Sequence, residues 1–293
     1  MKSWSDLLGE VKQANFVYTD LFALIGAAYL SRTWEGEPLW IHVVGPPSTG
    51  KSFTMKQFTL LPQLKLVSAL TPAALISGYG GEAIDRSLLA EMQGVLLMAK
   101  DFGTILEMGY DSIRAVFSIL REAFDGHVKK TFGMLEREYF PHFNFIAAST
   151  EACEKQTAFR GQLGERFLRY RHRDVSFANP PPEVSDALRS AVADWFRQRE
   201  EEGAKHPLDK TELVQIARLS SVAAKVRTPV IHKGWRGEIA QVPGFEGPYR
   251  LARQFKKLME ALLFMTNDRE ESLRLLKKVG SHALKPQREI ILR

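Results

Sequence analysis

Residues 45–52 read Gly45-Pro46-Pro47-Ser48-Thr49-Gly50-Lys51-Ser52 and fit the pattern G-x-x-x-x-G-K-[ST]. The chemistry this pattern serves is the binding of a β,γ-phosphate, which holds several negative charges in a small volume. Successive backbone N–H groups of a tight loop, with the positive end of the following helix, can surround such a group. Gly45 and Gly50 permit close backbone approach, Lys51 reaches the β/γ oxygens, and the Ser52 hydroxyl ligates Mg²⁺. The expected ligands are ATP and Mg²⁺.

A phosphate loop that hydrolyses its nucleotide needs an acidic residue at the tip of a neighbouring strand, to hold the metal shell and orient a water. The apolar run Gly94–Ala99 ends in Lys100-Asp101-Phe102. Asp101 is the candidate, as a metal-shell or water-orienting group. The alternative is that it caps the next segment. Lys100 stands where many ATPases have a second acid, which leaves open slow hydrolysis or a base supplied from elsewhere.

These residues need elements to position them. Leu39–Val44 is short and β-branched and runs directly into the glycine-proline loop, so it reads as a buried strand. Further strands are expected at 66–70, 94–99 and 143–148, with helices at 51–60, 87–92 and 111–124 between them. Strands without polar alternation, separated by helices, imply a parallel sheet covered on both faces. Two helices precede it, one opening at Ser5 and one over 16–31. After Asn179-Pro180-Pro181-Pro182 the periodicity becomes helical, at 184–202, 210–226, 249–265 and 268–279. The stretch 228–247 reads as a hairpin or a long loop. The expected organisation is N-terminal helices (1–35), an α/β nucleotide-binding domain (36–180) and a helical lid domain (181–293). The last residues, Arg288 to Arg293, read as the amphipathic start of a further C-terminal element.

Composition narrows the class. The 293 residues are 45% hydrophobic and 25% charged, as in a globular protein. The longest nearly apolar stretch, Leu21–Leu30, is too short to span a bilayer. Asp6 and Glu10 interrupt any leader-like start, and the lone cysteine, Cys153, excludes an internal disulfide, so a cytoplasmic location is expected. Cys153 reads as a small buried group. His127 and His172 have no partners at ligand spacing, so a protein-only metal site is not expected.

The order of motifs resembles the AAA+ ATPases, in the branch with an insert in helix 2 and a hairpin before sensor 1, which contains the minichromosome maintenance (MCM) helicases. The insert corresponds to Leu70-Thr71-Pro72 through Gly80-Gly81-Glu82, followed by Leu88–Gly94. Leu120–Gly133 is similar to the family's helix and hairpin. Thr150 falls at the polar sensor 1 position, where the family usually has Asn. Gly164-Glu165-Arg166-Phe167 is similar to the arginine-finger segment, and Gly247-Pro248-Tyr249-Arg250 to the start of the sensor 2 helix. Lys100-Asp101 departs from the family's Asp-Glu pair, and the large N-terminal domain of those helicases has no counterpart. The resemblance is to a compact relative, of a bacterial phage or mobile-element type.

The resemblance implies a parallel-sheet P-loop NTPase domain with a small helical lid, and catalytic roles for Asp101, Thr150, Arg166 and Arg250. Arg166 would act on the ATP of a neighbouring subunit, which implies a homo-oligomer, a ring such as a hexamer or a filament. The bland alternative for Arg166 is a surface salt bridge, and for Arg250 a solvated helix face. Lys129 and Lys130 would face a pore and contact DNA phosphates. Six basic residues between 153 and 173, with Phe159, Phe167 and Tyr170 among them, add to a net charge of +6; Phe167 itself reads as packing in the core strand. Two functions remain open. One is an ATP-hydrolysing motor on DNA, a helicase or translocase. The other is an ATP-dependent assembly switch or loader that polymerises on DNA or a partner protein and hydrolyses slowly.

Overall fold

The computed structural model describes residues 2–13, 18–79, 84–133, 135–155, 166–173, 185–203, 206–227, 231–233, 238–241 and 247–283. Helices α1 (Trp4–Gln13) and α2 (Thr19–Leu30) lead into β1 (Trp40–Val44) and α3 (Lys51–Lys56). Then come β2 (Leu64–Val67), α4 (Pro72–Leu75), β3 (Gln93–Ala99), α5 (Tyr110–Phe124), β4 (Val128–Phe132), β5 (Leu135–Tyr139), β6 (His142–Ser149) and β7 (Leu168–Arg171). The rest is α6 (Asp186–Glu202), α7 (Lys210–Arg227), β8 (Ile231–Lys233), β9 (Glu238–Gln241), α8 (Tyr249–Thr266) and α9 (Arg269–Ser281).

Five strands form one parallel sheet in the order β2-β3-β6-β1-β7. The chain leaves β1 for the far edge at β2, returns through β3 to β6 beside β1, then crosses to β7 on the other side. β1 is therefore the switch point, and a crevice is expected outside its carboxyl end. Being parallel, the strands all deliver their carboxyl ends to one edge, so Gly45, Ser68, Lys100, Thr150 and His172 emerge together.

Both faces are covered, which explains the unbroken apolar runs. On one face Ile41, Val43, Leu96, Met98, Ile146, Ala148, Leu168 and Tyr170 share a hydrophobic cluster with α1, α2 and the C-terminal helices, from Trp4 to Ala283. On the other, Trp40, Leu97, Phe143, Phe145 and Phe167 pack under α5, Phe102 and the base of the β4–β5 hairpin. Asn144, fully buried, ties the layers: its Oδ1 accepts from the Leu39 N–H at 2.6 Å and its Nδ2 donates to Ala28 O at 2.8 Å. Among the described residues no helix is long and apolar enough to cross a membrane.

The local expectations need four corrections. The strand placed at 66–70 is Leu64–Val67, because its partner β3 ends at Ala99 and Lys100 N–H already closes onto Val67 O at 3.0 Å. The helix placed at 51–60 stops at Lys56. Beyond it Gln57, Phe58, Thr59 and Leu61 bond three residues back, tightening the chain ahead of Pro62, which disfavours α geometry at the residue before it. The segment 87–92 is a single 3₁₀ turn, Leu88–Glu91. A fifth strand, β7, was signalled only by Phe167, read as packing in the core strand; its own four residues alternate Leu-Arg-Tyr-Arg and read as a basic surface. Residues 228–247 contain the antiparallel pair β8–β9. Residues 14–17, 80–83, 134, 156–165, 174–184 and 284–293 lie outside the description, and with them Phe159, Arg160 and the Gly164-Glu165 half of the arginine-finger segment.

Candidate functional site

At the carboxyl edge the loop after β1 is bent by two left-handed residues, Ser48 (φ 60°) and Gly50 (φ 80°). Close approach fixes its glycines. A Cβ on Gly45 would lie 2.4 Å from His172 O, and one on Gly50 would lie 2.3 Å from the Tyr18 ring. His172 Nε2 donates to Thr49 O at 2.7 Å, and the Tyr18 and His172 rings meet edge-on at 4.6 Å. The loop thus rests on α2 and β7, and Gly45 N–H reaches Ser149 O of β6 at 3.3 Å.

Lys51 turns inward. Its ammonium donates to Gly45 O (2.8 Å), Pro46 O (2.5 Å) and Thr49 Oγ1 (3.3 Å). Burial pushes its pKa below the usual lysine range, and the carboxylates of Asp101 and Glu151 oppose that shift. The buried ammonium is held by neutral acceptors of its own loop, and a dense anion is a stronger partner for it.

An open cleft of about 650 Å³ faces this loop, and it brings together Ser48, Lys51, Ser52, Lys100, Asp101 and Thr150. The side chains expected at the phosphate, metal and sensor 1 positions therefore share one wall, drawn from β1, β3 and β6. Asp101 opens a 3₁₀ turn, Phe102–Glu107, but its side chain makes no capping bond there, so the capping alternative loses its basis. Glu151, which the sequence reading did not single out, follows Thr150 directly and is exposed.

The floor of the cleft is a buried polar chain. His42 Nε2 and Ser149 Oγ are 2.7 Å apart, and Cys153 Sγ is 2.9 Å from the same hydroxyl. Cys153 is buried, as expected, and is also part of this network. Burial, with smaller contributions from Arg169 and Arg171, pushes the His42 pKa down to about 3. The unfolded state then takes up a proton near pH 6.5 that the folded state refuses, so this stability is complete above about pH 6.5 and is lost as pH falls toward 3. Between pH 7 and 5 the loss from this group is about 2 kcal/mol. Thermal melts at the two pH values should show a smaller drop for His42→Gln than for the wild type. Equal drops would show that His42 is not the group responsible.

Arg166 and Arg250 lie elsewhere. Their guanidinium carbons stand 5.6 Å from the ring of Phe124, and Arg166 donates to Asp125 Oδ2 at 2.6 Å. Phe124 packs edge-on to Trp40, the first residue of β1, at 5.1 Å. The two arginines are thus a pair at the amino end of β1, whereas Lys51 follows its carboxyl end. Strands advance about 3.3 Å per residue, so the five residues of β1 hold the two groups roughly 16 Å apart.

The β4–β5 hairpin separates its two lysines. Lys129 is on the outer face and pairs with Glu136 at 2.9 Å, beside Glu138 and His127. Lys130 is on the inner face, 5.2 Å from the Phe132 ring. The segment before β3 lies across that inner face: Arg137 donates to Ile84 O, Tyr139 donates to Asp85, and a Cβ on Gly78 would meet Phe132 at 2.8 Å.

Among the described residues no three His, Cys, Asp or Glu side chains cluster as a metal site. One hydroxyl and one carboxylate in a cleft suit Mg²⁺, which keeps several waters and takes phosphate oxygens as ligands. No protein-family model matches this chain, and no curated protein matches its sequence.

Proposed function

We propose that this chain is a P-loop ATPase of AAA+ type that binds Mg²⁺ and ATP in the cleft at the carboxyl edge of its sheet and acts on DNA as part of a homo-oligomer. The observation that carries the reading is the meeting of Lys51, Ser52, Asp101 and Thr150 in one cleft, although they follow three different strands and are up to 99 positions apart (150 − 51). Ser52 and Asp101 would hold Mg²⁺, which when bound neutralises charge developing on the transferred phosphoryl group. Lys51 would bind the β/γ oxygens in place of its own loop carbonyls. Thr150 would hydrogen-bond the γ-phosphate or the attacking water. Arg166 and Arg250, at the other end of β1, would serve a neighbouring subunit's nucleotide.

The second reading is the slow assembly switch or loader. Lys100 in the cleft favours it, and so does the pairing of Lys129 with Glu136, which leaves that hairpin face with little positive charge. ATP turnover measured with and without a forked DNA duplex separates the two. The motor reading expects DNA to raise turnover several-fold and the fork to open. It also expects Lys129→Ala with Lys130→Ala to weaken DNA binding and flatten its salt dependence. Turnover indifferent to DNA, with ATP-dependent filaments or rings in electron micrographs, selects the switch. Undetectable ATP binding by calorimetry removes both.

A further inference from the structure

The cleft contains one acid from β3 where hydrolysis calls for two acidic tasks, metal holding and water activation. Lys100 cannot take the second task, because an ammonium has three donors and no acceptor. Asp101, committed to a metal shell, loses basicity to the cation's charge.

The sheet order offers another source. β6 lies between β1 and β3, with Val44 opposite Ser149 and Ala99 opposite Ala147. Residues that continue past Ser149 therefore emerge between the phosphate loop and Asp101. Thr150 lines the cleft, and Glu151, exposed, is next and opens the 3₁₀ turn Glu151–Lys155. That turn is anchored: Cys153 N–H donates to Thr150 O at 3.3 Å, and Cys153 Sγ lies against Ser149 Oγ at 2.9 Å. Glu151 and Asp101 are also the two carboxylates whose fields act on the Lys51 ammonium. An acid pair that adjoining ATPase residues would supply from one strand is here divided between the tips of β3 and β6.

We infer that Glu151 is the carboxylate that activates the attacking water in this cleft, an assignment that rests on the ATPase reading above. The water oxygen bonds to the γ-phosphorus as the bond from that phosphorus to the β,γ-bridging oxygen breaks. ADP leaves with the electron pair. The water's proton passes to the Glu151 carboxylate, which returns it to phosphate or solvent, so ATP and water give ADP and phosphate.

The test compares Glu151→Gln, Glu151→Asp and Asp101→Asn in the full chain. Glu151→Gln should keep Mg·ATP affinity within a few-fold by calorimetry and keep its melting temperature. Its turnover should fall by about a hundredfold or more, the scale of a lost general base. Nucleotide recovered from the purified variant complex should be ATP, where the wild type yields ADP. Glu151→Asp should recover part of the rate. Asp101→Asn should instead raise the Mg²⁺ concentration needed for tight ATP binding, a shift Glu151→Gln should not show. Wild-type turnover in Glu151→Gln overturns the inference. So does a wild type that binds ATP and never hydrolyses it, which leaves the phosphate-loop reading standing. A wild type that does not bind ATP overturns that reading and this one together.

Discussion

Lys51→Ala should abolish measurable nucleotide affinity. The ammonium is the loop's only side-chain cation, it is 8% exposed, and it already donates to three oxygens of the loop. A phosphate replaces neutral carbonyl partners with charged ones, and each charge-assisted bond is worth about 1.5–3 kcal/mol. Losing one or two such bonds, about 1.5–6 kcal/mol, lowers affinity by about tenfold to ten-thousandfold. Alanine also removes the donor from Gly45 O and Pro46 O, so the ligand-free protein loses some stability; melting curves without nucleotide measure that separately. An ATP titration by calorimetry checks the main effect. Near-normal affinity in Lys51→Ala would mean the loop is not the site.

The proposed phosphate loop stands out in the sequence because the chemistry proposed for it is local: eight consecutive residues carry the glycines, the lysine and the hydroxyl. The sheet was legible for a related reason. Strands buried on both faces are short apolar runs, and β1, β3 and β6 were found to within a residue or two at each end. β7 was legible only at its threshold, in Phe167, because Arg169 and Arg171 alternate with its apolar residues and disguise how buried it is. Arg171, for instance, is 3% exposed and donates to His282 O at 2.7 Å, a partner 111 positions away. Glu151 was missed for the same kind of reason. Its place at the carboxyl edge of the sheet follows from β6 inserting between β1 and β3, and strand order is not written in any local pattern. The role of Lys129 depended on a cross-strand partner, Glu136, which only the hairpin register supplies. Periodicity reports which face is buried; it does not report what the exposed face meets.

Arg166→Ala should leave ATP binding nearly intact and lower turnover about a thousandfold, the scale on which a guanidinium at the transferring phosphoryl group acts. Within one chain the guanidinium lies far from the proposed phosphate loop, so the effect is expected to come from a neighbour. Arg166 sits by Trp40 and Phe124 at the amino end of β1, and its backbone carbonyl accepts from Gln254 Nε2 at 2.7 Å. No side chain spans the roughly 16 Å of strand that separates it from its own phosphate loop. In the single chain its guanidinium holds Asp125, whose side chain is 54% exposed, so the carboxylate left behind by Arg166→Ala stays hydrated, and a melting curve of the variant shows whether the fold is kept. A partner's phosphate, carrying more charge than one carboxylate, would draw the guanidinium from Asp125 as subunits meet. Arg250, on the same Phe124 ring, should behave alike, and Arg250→Ala should reduce turnover without weakening ATP binding. The decisive experiment mixes Arg166→Ala with Lys51→Ala protein. Each is inactive alone, but interfaces that join an intact loop to an intact arginine should recover a fraction of the activity, rising and falling with the mixing ratio. Full turnover in Arg166→Ala alone would reduce the residue to a salt bridge with Asp125. Mixed oligomers that form but stay inactive at every ratio would remove its action across the interface.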